Sequence, residues 1–408
     1  MLINMTLPLR IGHSKLFPSG LISGLCKLSQ QKNVTKTQVA FITSKIARQG
    51  RPPRPPPFDY RNKPYTFWDV FFDPMEDRYD ENTKIVVIDG LPGVGKDKFA
   101  RQLADELEMF YMPPYQWDEF LVTAYGYDYR NLNHKLPIDA QYYDLNAFLK
   151  DPNGRNSAAI QHGYYMMRFR QYIFALQHIF STGQGVIIQR CPWSDFVFTN
   201  AMFDSGYISK GGLTYYNSAV LNSLYQLFRP HLVIYLDAQI QTIKDRIQRN
   251  GTPEEKQSKA FTTKYLSDLD KHYKSRYLPT ISKHANLLVY DWTEEGDMNT
   301  IVDEIEHLKF EGYDRDTEKM DDWKFSTLDE QRGARDLFCN EGEQLMYSTL
   351  VIRYDIPEML ISGQDSAKHT KVLEDTQENM GGVQYEPGFD PKLDKGVIFK
   401  TKSESNLR

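Results

Sequence analysis

Residues 84–97 read KIVVIDGLPGVGKD, and this stretch decides the fold. Lys84–Asp89 is a short Ile/Val run ending at glycine, the pattern of a strand buried on both faces of a parallel sheet. Gly90, Gly93 and Gly95 follow, then Lys96, and apolar residues return at Phe99, Leu103 and Leu107 with helical spacing over 96–109. A glycine loop between strand and helix is the context of a phosphate-binding P-loop. The glycines let backbone N–H groups approach phosphate oxygens, the helix N-terminus adds partial positive charge, and Lys96 reaches for the β- and γ-phosphates. The next position departs from the pattern. A metal-binding P-loop carries Ser or Thr there, whose hydroxyl ligates Mg²⁺; this chain carries Asp97. At ~5 Å and an effective dielectric of ~20, a carboxylate beside a phosphate costs roughly 3 kcal/mol unless a metal offsets it. Asp97 therefore weakens triphosphate binding or changes its metal requirement.

Working outward, the pattern repeats. Residues 161–180 form a long amphipathic helix that Thr182-Gly183 stops, and GVIIQ (185–189) reads as a second buried strand. HLVIYL (231–236) and NLLVY (286–290) are further strands, with helices over 242–249, 262–282 and 298–308. Strands alternating with helices predict an α/β fold, a P-loop NTPase-type parallel sheet flanked by helices. Beyond residue 310 the alternation fades. Residues 311–408 form a C-terminal extension that either drapes over the domain or reaches a partner.

The ends and the composition narrow the class. Acidic residues first appear at Asp59, after Arg10, Lys15, Lys27, Lys32, Lys36, Lys45, Arg48, Arg51 and Arg54. A basic, hydroxyl-rich, acid-free start predicts a mitochondrial transit peptide within residues 1–50, cleaved near 35–50. RPPRPPP (51–57) opens a proline-rich linker over 51–83 and lies outside any core. The P-loop domain then covers 84–310. The formal net charge of -5 argues against nucleic-acid binding. Cys26, Cys191 and Cys339 form no CxxC pair, so neither a disulfide scaffold nor a zinc site is expected, and no metal site is assigned. No run approaches the ~18 apolar residues of a membrane span.

Two later stretches, STGQGVIIQRCPWSDFVF (181–198) and PHLVIYLD (230–237), carry a more specific likeness. From Lys84 to about Leu308 the chain resembles the deoxynucleoside kinase family. That resemblance implies nucleotide contacts at Gly90, Gly93, Gly95, Lys96, Asp97, Arg190 and Arg246. It also implies nucleoside contacts at Gln161, Arg168 and Asp195. The first two stand seven residues apart on one helix face. An amide, a guanidinium and a carboxylate together satisfy both edges of a base.

The catalytic positions fare worse against the family pattern. The general-base Glu is Met112, and a thioether accepts no proton. The Glu and Ser of the family's Glu-Arg-Ser strand are Gln189 and Cys191. The lid's paired arginines fall at Asn250 and Thr252. No catalytic residue is therefore assigned. Over its whole length the chain resembles the kinase-like accessory subunits of mitochondrial respiratory complex I. That implies a non-catalytic protein, peripheral on the matrix side of the inner membrane, whose partners are other complex I subunits. A retained nucleotide, with or without Mg²⁺, would act as a structural staple. The alternative is a mitochondrial deoxynucleoside kinase using ATP.

Overall fold

In the computed structural model the four strands read from sequence, with a short fifth, form one all-parallel sheet in the order β2-β3-β1-β4-β5. The structure describes residues 41–73, 75–123, 126–310, 318–351 and 356–379. The strands are β1 (Ile85–Gly90), β2 (Phe110–Met112), β3 (Val186–Gln189), β4 (Leu232–Asp237) and β5 (Asn286–Asp291). β1 is central and buried at every residue, as its unbroken Ile/Val run requires. In register, Ile88 faces Gln189 on one side and Ile234 on the other. The loop after β1 and the turn after β3 therefore emerge side by side, at the carboxyl ends where open parallel sheets bind ligands.

Helices cover both faces. Those that matter here are α1 (Lys96–Glu106), α2 (Ser157–Thr182), α3 (Phe196–Asp204), α4 (Lys210–Ser223), α5 (Ile240–Asn250), α6 (Thr263–His272), α7 (Met298–Glu306), α8 (Leu328–Asn340) and α9 (Gly363–Asn379). α2 ends where Thr182-Gly183 predicted. Gly183 takes φ +71°, its N–H caps the Ile179 carbonyl at 2.9 Å, and a Cβ there would meet the Arg78 carbonyl.

The described residues on either side of the P-loop domain are more deeply integrated than their composition suggests. The RPPRPPP run is mostly exposed, as expected. The residues just before it are not a loose leader. Ile42 is fully buried, the Thr43 N–H donates to Asn82 Oδ1 at 2.8 Å, and the Lys45 N–H donates to the Glu106 carbonyl at 2.7 Å. A leader ending at residue 50 would remove this packed segment; residues 1–40 lie outside the described residues. Within the linker, Phe58, Tyr65 and Met75 are buried.

Of the two roles open to the extension, its described part takes the first. Trp323 donates its indole N–H to the Arg229 carbonyl at 2.7 Å and lies 5.4 Å from the Phe228 ring. Phe338, fully buried, stacks on Phe180 of α2 at 6.0 Å. Farther on, His369 of α9 meets the Tyr142 hydroxyl at 3.0 Å. The aromatic residues scattered among charges thus cover apolar surface that α2 and the segment before β4 would otherwise expose. No helix among the described residues is long and apolar enough to cross a membrane.

Candidate nucleotide site

A cavity of about 280 Å³ opens where β1 and β3 end. Gly93 and Lys96 form its loop side, Gln189 and Arg190 its strand side, and Gln161, Tyr164 and Arg168 of α2 its far wall. Of the residues expected there, Gly93, Lys96, Arg190, Gln161 and Arg168 line the space directly. Gly90, Gly95, Asp97, Asp195 and Arg246 stand behind or beside that wall.

The loop has the expected conformation. Gly93 takes φ +77° and Gly95 φ +101°, the left-handed region where L side chains are strained. At Gly90 (φ +145°) a Cβ would approach the Leu236 carbonyl oxygen to 2.6 Å, which only glycine permits. Lys96, however, turns back on its own loop. Its ammonium donates to the carbonyls of Gly90 at 3.0 Å and Leu91 at 2.6 Å. Burial, reinforced by the nearby Arg190 guanidinium, depresses its pKa well below that of a free lysine. Arg246 is likewise occupied, donating to the Val94 and Thr293 carbonyls, each at 3.0 Å. It braces the loop from α5.

Gln161, Arg168 and Asp195, the three residues expected at a nucleoside, meet one another. Asp195 is fully buried at the start of α3. It accepts from Gln161 Nε2 at 2.9 Å, from Arg168 and from the Tyr216 hydroxyl at 2.7 Å. Tyr216, on α4, carried no sequence signal because only the tertiary fold brings it here. Arg168 lies over the Phe198 ring at 4.8 Å; burial, then the Arg190 charge, lowers its pKa to about 10. Arg190 takes φ +60°, a conformation that costs a non-glycine residue roughly 1 kcal/mol or more. Its guanidinium covers Phe198 at 4.5 Å, and its buried Nε has no hydrogen-bond partner among the described residues. The cavity therefore ends in a cation with an unmet donor, a fit for an anionic group on a nucleoside-sized ligand.

The positions that depart from the family pattern make other contacts. Met112 ends β2, and Gln171 of α2 holds the backbone beyond it, donating to the Pro113 carbonyl at 2.7 Å. Asp97 accepts from Arg101 Nε at 2.9 Å, the Tyr111 hydroxyl at 2.6 Å and Gln189 Nε2 at 3.1 Å. These bonds, Arg101's first, hold its pKa below the usual carboxylate value. Arg101 was legible as an i,i+4 partner of Asp97; Tyr111 was not. In the lid, Thr252 starts a one-turn helix closed by a capping box with Glu255. Glu255 lines the cavity. Cys191 is buried with its sulfur 3.4 Å from the Tyr277 hydroxyl, and burial raises its pKa to about 12. It is a core thiol rather than a nucleophile.

A glycine loop after the first strand of a parallel sheet, with Gln161, Arg168 and Asp195 gathered beside it, defines a P-loop protein of nucleoside-kinase type. The deoxynucleoside kinase family profile matches residues 86–311. The chain is also 31% identical over 337 residues to NADH dehydrogenase (ubiquinone) 1 alpha subcomplex subunit 10, mitochondrial, of Mus musculus, covering 81% of this chain and 88% of that one. To the same subunit of Bos taurus it is 33% identical over 326 residues, covering 78% and 88%. A deoxyguanosine kinase of Dictyostelium discoideum is 31% identical over 166 residues, covering 41% of this chain and 57% of that protein. The chain belongs to the deoxynucleoside kinase family and, within it, to the group formed by the alpha subcomplex subunit 10 proteins.

Proposed function

We propose that the chain is a non-catalytic accessory subunit of mitochondrial respiratory complex I, contributing to its assembly and stability. The observation that carries this reading is the length of the likeness to the mouse and bovine subunits. It takes in 88% of each and extends well beyond the region that the kinase profile matches. The likeness to deoxyguanosine kinase spans 57% of that enzyme. The site agrees with the first reading. Met112 supplies no base, the lid's clamp positions are Asn250 and Thr252, a carboxylate (Glu255) lines the cavity, and Lys96 and Arg246 are spent on backbone carbonyls.

In this role the chain is a folded block on the matrix side of the inner membrane, delivered by the basic leader and bound to other subunits through its exposed faces. A nucleotide seated with its base at Gln161 and Arg168 and its anionic end at Arg190 would stabilise the fold without reacting, because a ligand that binds only the native state adds stability. Separating mitochondrial complexes by native electrophoresis and probing for this chain tests the reading. Co-migration with complex I is expected, together with loss of assembled complex when the chain is depleted. Migration as a free protein would overturn it. Rapid turnover with ATP, Mg²⁺ and a deoxynucleoside would promote the kinase reading.

A further inference from the structure

Asp97, Tyr111 and Gln189 form a closed triangle. The Tyr111 hydroxyl donates to Asp97 Oδ1 at 2.6 Å, and Gln189 Nε2 donates to that oxygen at 3.1 Å and to the Tyr111 oxygen at 2.6 Å. Arg101 completes it from outside. Its Nε bonds the other carboxylate oxygen at 2.9 Å, and its guanidinium covers the Tyr111 ring at 4.6 Å. Within the triangle every N–H and O–H is matched to an acceptor. The amide orientation follows from the chemistry, because the Gln189 carbonyl turned toward Asp97 would face a carboxylate. The network joins the first turn of α1 to the ends of β2 and β3, the three elements that frame the phosphate side of the cavity.

A divalent cation does not fit this arrangement. The P-loop hydroxyl that would ligate it is the Asp97 carboxylate, already accepting three bonds. The neighbouring strand position offers Gln189 N–H donors where a carboxylate oxygen would be needed, and a guanidinium stands beside them. No cluster of three or more His, Cys, Asp or Glu side chains suited to a metal occurs among the described residues. Relative to a Ser/Glu pair, the negative charge has moved from the strand to the helix, and an internal cation now balances it.

We infer that the Asp97–Tyr111–Gln189–Arg101 network replaces the divalent cation: it fixes the P-loop in a state that neither needs nor admits Mg²⁺. The inference rests on the non-catalytic reading of the site but not on attachment to complex I, which native electrophoresis measures separately. It makes Gln189 the determinant of metal independence. A Glu there would place a second carboxylate against Asp97, creating a site that only a cation relieves.

The experiment uses the purified full chain, with and without ATP. The unaltered protein should melt at the same temperature in Mg²⁺ and in EDTA, and any shift caused by ATP should be equal in both. Without ATP, added Mn²⁺ should keep the full electron-paramagnetic-resonance signal of the free ion, and with ATP the signal should equal that of the same Mn²⁺–ATP mixture lacking protein. Gln189→Glu should melt several degrees lower in EDTA and recover in Mg²⁺ or Mn²⁺. The pair Asp97→Ser/Gln189→Glu should deplete the free Mn²⁺ signal below that of the same Mn²⁺–ATP mixture lacking protein. The inference is overturned if the unaltered chain is stabilised by Mg²⁺, or by ATP only with Mg²⁺. It also falls if Gln189→Glu is as stable in EDTA as the unaltered chain. Should Gln189→Glu fail to fold, the Mn²⁺ titration of the unaltered chain decides alone: a depleted signal overturns the inference and a full one supports it.

Discussion

Arg335 and Asp73 lie 262 residues apart and form an ion pair 2.5 Å long, with Arg335 fully buried. The guanidinium also donates to the Asp73 carbonyl at 3.2 Å and stacks over Tyr65 at 4.2 Å. The segment before the P-loop domain and the helix after it are thus joined. Replacing Arg335 by Ala leaves Asp73 with Arg78 alone and opens a gap beneath two aromatic rings, Tyr65 and Phe58. Removing one partner of a buried pair costs roughly 3–5 kcal/mol. Chemical denaturation of Arg335→Ala should show a loss of that order, and a loss under about 1 kcal/mol would mean that the joint is not a stability element.

The same packing bears on truncation. Cutting before Lys319 uncovers Phe180, Phe228 and His231, now covered by Trp323 and Phe338. The shortened chain should aggregate or melt far below the full one. The milder change Phe338→Ala should cost roughly 3–5 kcal/mol. A truncated chain that stays soluble and melts normally would mean that the domain stands without its cover.

Acid should weaken the fold through buried imidazoles. Burial lowers the pKa of His162 to about 4 and of His178 to about 4, from 6.5 in a free side chain. Both ring nitrogens of His162 are without hydrogen-bond partners among the described residues. As pH falls below about 6.5, the unfolded chain takes up protons that the folded chain refuses, so stability drops toward pH 4. His162 alone accounts for up to about 3 kcal/mol of that loss. Denaturation midpoints across this range should fall for the unaltered protein and fall less steeply for His162→Phe. Equal slopes would remove His162 from the account.

The leader should be cut ahead of the packed segment. Because Ile42 is buried and Ser44 N–H bonds Glu306 at 2.6 Å, cleavage within 42–50 would remove structure from the domain. N-terminal sequencing of the mitochondrial protein should begin at or before Phe41. A start inside 43–50 would show that the fold tolerates loss of these contacts.

Restoring the missing base should not restore a kinase. Met112→Glu supplies a carboxylate but leaves Lys96 on the loop carbonyls and Glu255 in the lid. Phosphoryl transfer depends on charge placement as much as on the base. Turnover of deoxynucleosides by the variant should stay at background, and a measurable gain would show that the remaining machinery is intact.

Much of the fold was legible because it is written locally. β1, β3, β4 and β5 are Ile/Val/Leu-rich runs, the loop is spelled by glycines, and Gln161 and Arg168 share a helix face by spacing alone. β2 is three residues long, too short for any alternation to register. The Asp97 network was half legible. Arg101 follows at helical spacing, but Tyr111 and Gln189 reach Asp97 only because β2 and β3 pair in register, Tyr111 beside Ile187. The role of the extension stayed open for a different reason. One of its fully buried side chains is an arginine, and a charged residue among Asp and Glu reads as surface until its buried partner is known.

The segment after the lid is fastened to the domain at two points. Lys259 N–H bonds the Leu149 carbonyl at 2.9 Å, the Tyr207 hydroxyl bonds the Ala260 carbonyl at 3.1 Å, and Phe261 and Tyr265 close over the cavity from the same side. A bound molecule can pass this side of the cavity only when such a seam opens. A molecule enclosed during folding would leave only as fast as the seam opens, so its residence would be set by the protein and not by its concentration outside. Exchange of such a molecule would be slow against dialysis, a property of the seam rather than of the affinity alone.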